Sequence, residues 1–378
     1  MEIEELRGQI DTIDDKLTEL FLQRLVVSEE IGKYKRDRGL PVLDKSRERA
    51  VLARRTAELQ PPYDGYVRMF YRTLFDISRA RQSALTAGES PLAADIAHAL
   101  ENSPRKLPAR AAVACQGIEG AYSAIACDKL FPGADITFMD SFEGVARAVR
   151  GGLCEYGVLP IENNIHGSVL AVYDLMQHHR FAVARAIKLR VSHSLAAKPG
   201  TRLADIKEIL SHEQAIGQCR EFLAKLPGVK VTMCENTAVA ARTAAQPPRG
   251  DLAAICSTEC GVIYGLELLA RDIQDSDNNY TRFLCISKEL QILEGASRIS
   301  IMFRVAHRPG SLYEVLSRFA TAGLNITKLE SRPIPGHDFE FQFYLDADGD
   351  IRDPETAAVI CSLADCTEQL IFLGAYPE

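Results

Sequence analysis

Two cations in the amino-terminal segment could form an anion site. Apolar or aromatic residues at alternating gaps of three and four mark one face of a long helix, and Arg24 interrupts them. The face comprises Leu6, Ile10, Ile13, Leu17, Leu20, Arg24, Val27, Ile31 and Tyr34. Lys35 follows Arg24 by three helical turns, so both could grip one small anion from about 16 Å apart. Arg24 could instead set helix register or pair with an acid.

Further polar residues can join these cations. DKSRE places Asp44, Arg47 and Glu48 in the first turn of a second helix, and Ser78 and Gln82 share one face of a third. They offer a cation for carboxylates, an amide and a hydroxyl for neutral oxygens, and acids for a hydroxyl. This block has no nucleophile beside a histidine and no metal cluster. Such a site would act through electrostatics and positioning.

Residues 1–84 are predicted to form three helices that position these side chains. The first ends before Gly39, the second follows the cap Asp44, and the third runs from about Tyr63 to Ala84. Helices of such unequal length make a poor closed core. We therefore expect the first helix to need a partner chain.

This block resembles the all-helical chorismate mutases over essentially all of its length. The matching positions are Arg7, Arg24, Lys35, Asp44, Arg47, Glu48, Ser78 and Gln82. The resemblance implies that chorismate rearranges to prephenate in a site built from these residues. Arg7, Arg24 and Arg47 would hold carboxylates, Asp44 and Glu48 the ring hydroxyl, and Lys35 and Gln82 the ether oxygen, with Ser78 beside the substrate.

The position of Arg7 adds an expectation about assembly. Arg7 lies about 42 Å of helix axis from Lys35, beyond the reach of either side chain. If both serve one small substrate, Arg7 must come from the second chain of a swapped homodimer.

From Ala109 the pattern changes to short strand-like runs that alternate with helices. This predicts an α/β domain with largely parallel strands, whose ligands gather beyond the strand ends. Polar residues lie at the ends of three of these strands. Glu162 and Asn163 follow the first, Ser211 and then Gln218 follow the second, and Thr281 and Arg282 begin the third. Ser211 and Asn163 could equally be helix caps.

Four ordered stretches resemble the prephenate dehydratases over about residues 109–288. They are QGIEGAYS (116–123), LPIENNIHGSV (159–169), SHEQAIGQC (211–219) and YTRF (280–283). The resemblance implies a two-lobed α/β domain, like periplasmic binding proteins, that converts prephenate to phenylpyruvate. Thr281 would assist departure of the ring hydroxyl, and Arg282 would anchor a carboxylate. The residues around the substrate would be Asn163, Gln218, Ser211 and Glu162.

Residues 296–378 read as a ferredoxin-like βαββαβ order. HRPGSLYEVLSRFATAGLNITKLESRP (307–333) resembles the ACT domains fused to such enzymes, which implies an L-phenylalanine site between two copies. The residues expected there are Gly310, Ser311, Leu312, Asn325, Glu330, Ser331, Arg332 and Pro333. ESRP could also be a simple strand end before a turn.

Composition limits the other classes of function. Asp and Glu total 51 of 378 residues against 44 for Lys and Arg, which speaks against nucleic-acid binding. The sequence has no long apolar run and no basic-then-apolar start, so we expect a cytoplasmic protein without a membrane span. Ten scattered cysteines form no C-x-x-C pair and are expected to be buried thiols. We expect no metal and no cofactor.

Together these resemblances imply a bifunctional enzyme inhibited by L-phenylalanine. The domains would be a mutase (1–84), a linker (85–108), a dehydratase (109–288) and an ACT domain (296–378). We expect a homodimer, and whether dimers pair into tetramers is open. A mutase joined to a prephenate dehydrogenase is disfavoured because no G-x-G-x-x-G follows a strand. The alternative from another class is an amino-acid sensor without turnover.

Overall fold

The computed structural model describes residues 3–84, 90–246, 250–334, 336 and 340–378. The chain forms two compact units. The first combines Met1–Asn102 with Ile299–Phe372, and the second combines Ser103–Arg298 with Leu373–Glu378. The amino-terminal helices and the ACT-like segment therefore belong to the first unit, and most of the chain between them forms the second.

The first unit opens with helices, as predicted. They are α1 (Ile3–Arg36), α2 (Lys45–Thr56), α3 (Tyr63–Ala84) and α4 (Pro91–Asn102). After α1 the backbone turns at Gly39, whose φ of 62° lies in the left-handed region that favours glycine. Asp44 caps α2, because its carboxylate accepts the backbone N–H of Arg47 at 3.0 Å. Of the predicted linker, residues 85–89 lie outside the described residues.

The apolar seam of α1 is open over much of its length. Ile10 and Leu20 are 56% and 61% exposed. α1 packs against α3, and one contact is a hydrogen bond from the Arg24 guanidinium to the Ser78 hydroxyl. The seam towards the amino terminus thus presents a row of large apolar side chains to solvent.

The second unit consists of two sheets flanked by short helices, which confirms the two-lobed α/β prediction. The strands are β1 (Ala112–Gln116), β2 (Asp135–Met139), β3 (Tyr156–Asn163), β4 (Gly167–Ser168), β5 (Ala182–Arg190), β6 (Ser194–Ala197), β7 (Glu208–Ser211), β8 (Lys230–Met233), β9 (Leu252–Cys256), β10 (Glu267–Ala270) and β11 (Tyr280–Ser287). The helices are α5 (Tyr122–Leu130), α6 (Phe142–Arg150), α7 (Leu170–His178), α8 (Glu213–Gly217), α9 (Arg220–Leu223), α10 (Thr237–Ala245) and α11 (Thr258–Ile263).

Both sheets are mixed, whereas the sequence pattern predicted largely parallel strands. The first has the order β2-β1-β3-β11-β5 with β4 added to β3, and the second has the order β10-β6-β9-β7-β8. In the first sheet β11 returns from the second lobe and runs antiparallel between β3 and β5. In the second, β6 runs antiparallel to both of its neighbours. Periodicity within a strand carries no information on the direction of its neighbours, which explains the difference.

The carboxyl-terminal segment has the predicted ferredoxin-like order. It comprises β12 (Arg298–Arg304), α12 (Ser311–Thr321), β13 (Ile326–Pro333), β14 (Phe341–Asp348), α13 (Pro354–Ser362) and β15 (Gln369–Tyr376). The four strands form one sheet in the order β13-β14-β12-β15, which leaves β13 and β15 at the edges. Helices α12 and α13 pack against α3 within the first unit. The helical and ACT-like segments are therefore one folded body.

The cores explain why cysteine is frequent in this chain. Eight of the ten thiols are buried and all ten are free. In the first lobe, Cys115, Cys127 and Cys285 pack with Phe131 and Phe283 between sheet and helix. The prediction of buried thiols is confirmed for most of them. Among the described helices, none is both long and apolar enough to cross a bilayer.

Candidate active sites

A cavity of about 430 Å³ opens between α1, α2 and α3. Seven of the eight predicted mutase residues line it: Arg24, Lys35, Asp44, Arg47, Glu48, Ser78 and Gln82. The seam residue Arg24 turns from α1 towards α3 and donates to the Ser78 hydroxyl and, at 3.2 Å, to the Leu74 carbonyl. Burial lowers the pKa of the Arg24 guanidinium below its ordinary value. The cavity therefore holds a partly desolvated cation.

Lys35 and Gln82 supply hydrogen-bond donors to the same cavity. The Lys35 ammonium donates to the Val42 carbonyl at 2.5 Å, which holds it over the start of α2. The Gln82 amide donates to the Ser28 hydroxyl at 2.8 Å. Its buried oxygen has no hydrogen-bond partner among the described residues. A hydrogen-bond donor on a ligand in the cavity could satisfy this oxygen, and the second N–H of the amide can still donate.

The acids of this cavity are already engaged. The Asp44 carboxylate accepts from the Arg47 backbone N–H and the Ser46 hydroxyl, and these two hydrogen bonds lower its pKa. Glu48 forms an ion pair with Arg79. Glu48 is therefore oriented by a cation that the sequence pattern did not single out.

Arg7 lies outside the cavity. Its guanidinium pairs with Glu4 at 2.9 Å on the exposed start of α1. The axial rise of a helix separates Arg7 from Lys35 by about 42 Å, as expected from the sequence. The cavity of one chain therefore does not contain the eighth predicted residue.

A second cavity of about 490 Å³ lies in the other unit, among the ends of strands from both sheets. Asn163, Gln218 and Thr281 line it, as predicted. The Asn163 amide donates to the Thr281 hydroxyl at 3.0 Å and to the Asn279 side-chain oxygen at 2.9 Å. The Asn279 amide in turn donates to the Gln218 oxygen at 2.8 Å. One hydrogen-bonded network thus joins residues that lie far apart in sequence.

Two histidines complete this network. His193 Nε2 lies 2.8 Å from the Gln218 oxygen, and His166 Nε2 lies 2.7 Å from the Gln218 nitrogen. Because the amide oxygen only accepts and the amide nitrogen only donates, His193 carries its proton on Nε2 and His166 accepts there. Burial lowers the pKa of His193, which keeps its ring neutral near pH 7.

Glu162, Ser211 and Arg282 do not line the cavity, unlike their predicted neighbours. Glu162 and Arg282 sit inside β3 and β11 next to Asn163 and Thr281, and successive residues of a strand point to opposite faces. Arg282 instead pairs with Glu378 at 2.7 Å. This arrangement gives no support to a substrate-anchoring role for Arg282.

Ser211 is fully buried at the end of β7. Its hydroxyl donates to the Ile255 carbonyl of β9 at 2.8 Å. It therefore joins two strands of the second sheet. The hydroxyl has no opening to the cavity, and it caps no helix, because the next helix is capped by His212.

A third and smaller cavity, of about 140 Å³, lies at the start of α12. Of the predicted effector residues, Ser311 and Leu312 line it, together with Arg308 and Glu340. Gly310 precedes the helix with a φ of 88°. The other predicted residues lie elsewhere in the segment: Asn325, Glu330, Ser331, Arg332 and Pro333. Asn325 donates to Asp348 at 3.1 Å, and the other four lie on the edge strand β13.

Three family models match the chain in the order of these sites. Chorismate mutase type II matches residues 6–83, Prephenate dehydratase matches 113–291, and ACT domain matches 299–365. The bifunctional chorismate mutase/prephenate dehydratase of Escherichia coli K12 is 30% identical over 99% of this chain and 95% of its own length. The chain belongs to this bifunctional family.

Two further comparisons concern the dehydratase and ACT domains. Arogenate dehydratase/prephenate dehydratase 2 of Arabidopsis thaliana is 36% identical over 71% of this chain and 73% of its own length. A solved prephenate dehydratase from Arthrobacter aurescens, in complex with L-Phe, is similar with a TM-score of 0.66 and 29% identity. That similarity covers 71% of this chain and 90% of the other.

Sequence reasoning missed three residues in the two catalytic cavities. Arg79 follows Ser78 on α3, and no motif in the sequence singles it out. Neither His166 nor His193 has metal-ligand spacing, so composition and spacing do not mark these two residues. The available signal for His166 was its position inside the dehydratase motif ENNIHGSV.

Proposed function

We propose that this chain catalyses two consecutive reactions, chorismate to prephenate in the helical cavity and prephenate to phenylpyruvate in the α/β cavity. The observation that carries the proposal is that seven predicted residues, which are charged or carry an amide or a hydroxyl, surround one cavity, while a separate cavity holds the Asn163–Thr281 pair. Two cavities in separate units suit two reactions that need no shared catalytic group.

In the mutase cavity, the proposed chemistry is a pericyclic shift without a covalent intermediate. Arg24 and Arg47 would bind the two carboxylates of chorismate. Lys35 and the Gln82 amide would donate hydrogen bonds to the ether oxygen, which gains negative charge as its bond to carbon breaks. Such donors lower the barrier because they bind the transition state more strongly than the ground state. Glu48 would accept a hydrogen bond from the ring hydroxyl.

The third arginine of the substrate site supports a homodimer. Arg7 is too distant to reach its own cavity, and the seam of α1 beside it exposes large apolar residues such as Ile10 and Ile13, each at least 55% exposed. A second copy of α1 packed along this seam would bury the apolar row and could bring its Arg7 to the neighbouring cavity. Sedimentation at micromolar concentration tests this state, and a monomer would refute it.

In the dehydratase cavity, the proposed reaction breaks two bonds of prephenate. The ring carboxylate leaves as carbon dioxide, its electron pair completes the aromatic ring, and the hydroxyl on the opposite ring carbon leaves as water after it takes up a proton. Thr281, oriented by Asn163, would donate a hydrogen bond to the departing hydroxyl. Gln218 would contact the substrate from the other lobe.

Feedback by L-phenylalanine is proposed for the ACT domain. The L-Phe complex of the similar dehydratase and the cavity at Ser311 and Leu312 support it. The cavity of about 140 Å³ is small beside ligand pockets of about 300 Å³ or more, which suits a site completed by a second ACT domain. We also propose a cytoplasmic location, which cell fractionation would test.

The deciding experiment supplies purified protein with chorismate, with and without L-phenylalanine, and follows chorismate, prephenate and phenylpyruvate. We expect phenylpyruvate to form and L-phenylalanine to slow it. Prephenate that accumulates without further conversion would refute the dehydratase, and no turnover would favour the amino-acid sensor.

The Arabidopsis relative favours a second candidate substrate. Its name includes arogenate dehydratase as well as prephenate dehydratase. Arogenate carries an amino group where prephenate carries a keto group, so the same loss of carbon dioxide and water would give phenylalanine directly. Parallel assays with both substrates compare kcat/KM, and we expect prephenate to be preferred because the chain also carries a mutase that makes it.

A further inference from the structure

Arg79 connects three parts of the first unit. It lies on α3 and lines the mutase cavity, and its side chain is only 10% exposed. One guanidinium nitrogen pairs with Glu48 of α2. The second terminal nitrogen, Nη2, pairs with Asp76, one turn back on α3, and with Glu314 of α12 at 2.9 Å. A cation of the mutase domain thus binds a carboxylate of the ACT domain.

Three carboxylates share this one guanidinium, so its position depends on all of them. The cluster is largely desolvated, with Asp76 and Glu314 side chains 19% and 17% exposed. Charge-assisted hydrogen bonds are stronger in such surroundings than in water. If one acid is removed, the guanidinium is expected to move towards the others.

The contacts continue from Glu314 to the small ACT cavity. Arg308 lies 3.8 Å from Glu314, and its Nε donates to the Ser311 hydroxyl at 3.2 Å. Arg308 and Ser311 both line that cavity. An unbroken series of polar contacts therefore runs from the ACT cavity through Glu314 and Arg79 to Glu48.

We propose that Arg79 is a positioning residue for the mutase reaction, which holds Glu48 in its substrate-binding orientation, and that Glu314 of the ACT domain holds Arg79 in turn. This inference rests on the proposed mutase function. Arg79 pairs with one carboxylate oxygen of Glu48, Oε1, and we expect the other oxygen, Oε2, to accept the ring hydroxyl of chorismate. The ACT domain thereby contributes a residue to the support of the mutase site.

The first test replaces Arg79 and measures the two activities separately. Arg79→Met should lower the mutase kcat/KM about tenfold to a hundredfold, because it removes a charged hydrogen bond to Glu48. Arg79→Lys should recover part of that loss. Turnover of added prephenate should change less than about twofold. Wild-type mutase kinetics in Arg79→Met would overturn the proposal.

A double-mutant cycle separates positioning from general stability. If Arg79 acts through Glu48, Arg79→Met should have little further effect in a Glu48→Gln background. A merely structural role predicts that the two losses multiply, and that result would overturn the proposal. The wild-type assay distinguishes failure of the mutase function itself, since no chorismate would then be consumed by any variant.

The ACT contribution is tested with Glu314→Gln, which lies outside the mutase cavity. It should lower mutase kcat/KM about threefold to tenfold in the wild-type chain and have no effect in Arg79→Met. The control is Arg81→Gln, because Arg81 lies on α3, the helix of Arg79, and pairs with Glu29 at 2.6 Å but is 55% exposed. Equal losses in the control and in Glu314→Gln would overturn the link. If Arg79→Met fails to fold, Arg79→Lys combined with Glu48→Gln serves the same cycle.

Discussion

The two catalytic cavities belong to one chain but are assembled differently. The mutase cavity gathers ionic side chains from three helices, and its eighth predicted residue, Arg7, is out of reach. The dehydratase cavity is lined mainly by neutral amides, hydroxyls and imidazoles, with Glu235 as its one acidic residue among those described, and one chain supplies the whole Asn163–Gln218 network. The first site should therefore depend on charge and on a second chain, and the second on strand register.

The largest effect should follow loss of the mutase ammonium. Lys35→Ala should lower chorismate turnover about a thousandfold or more, because it removes the cation nearest the proposed developing charge. Added prephenate should still be converted at the wild-type rate. The matched control is Lys33→Ala, on the same helix, where Lys33 is exposed and pairs with Glu30 at 2.7 Å. Equal losses of both activities in Lys35→Ala would contradict the separation of the two sites.

The reciprocal change is made in the dehydratase. Thr281→Val removes a hydroxyl but keeps the shape of the side chain, and it should lower prephenate conversion about a hundredfold. Chorismate should still be consumed, so prephenate should accumulate, as chromatography of a time course would reveal. Thr281→Ser, which restores the hydroxyl, should recover much of the activity. Unchanged conversion in Thr281→Val would rule out the proposed role.

The same contrast explains how much could be predicted from sequence. Helical spacing predicted that Ser78 and Gln82 share a face, because residues three or four apart on a helix do so regardless of the rest of the fold. The resemblance to the helical mutases implied which residues of the three helices would meet. In the dehydratase, successive side chains of a strand point to opposite faces of the sheet. Arg282 follows Thr281 directly, so it lies on the opposite face although both belong to one motif. The ferredoxin-like order was predictable from the alternation of strand and helix patterns, whereas the two lobes were implied by the resemblance to the prephenate dehydratases.

Long-range contacts were not predictable in this way. Arg79 and Glu314 are 235 positions apart, and nothing in the local pattern of either residue indicates the other. The antiparallel pairing of β11 with β3 is likewise set by the order of strands in the sheet, which the sequence of β11 alone does not reveal. Its placement beside β3 is what brings Thr281 to Asn163.

The proposed dependence of the mutase on a second chain gives a third prediction. Arg7→Ala and Lys35→Ala chains are each expected to be inactive as mutases. When they are co-expressed, half of the dimers should contain one chain of each kind, and in these one cavity combines an intact Lys35 with the intact Arg7 of its partner. About a quarter of wild-type mutase activity should return. No recovery in isolated mixed dimers would show that Arg7 serves its own chain or none.

The smallest expected effect concerns the stability of the charged region. Burial, opposed by Arg79 and reinforced by Glu314 and Glu48, raises the pKa of Asp76 from 3.8 to about 6. Since the pKa in the folded chain is above the ordinary value, ionised Asp76 destabilises the fold above pH 6, and this penalty fades as the pH falls from 6 towards 4. Asp76→Asn should therefore stabilise the first unit by about 1 kcal/mol at pH 8 and by less at pH 5.

The urea concentration that halves mutase activity, measured at both pH values, reports on this unit alone. The urea concentration that halves dehydratase activity in the same samples is the internal control. It should be the same in the variant and the wild type at each pH. Asp76→Asn would remove one of the three acids that hold Arg79, so its mutase kinetics without urea must be measured as well. A stabilisation of equal size at pH 8 and pH 5 would mean that Asp76 acts through packing, and the contrast between an ionic and a neutral site would then not extend to stability.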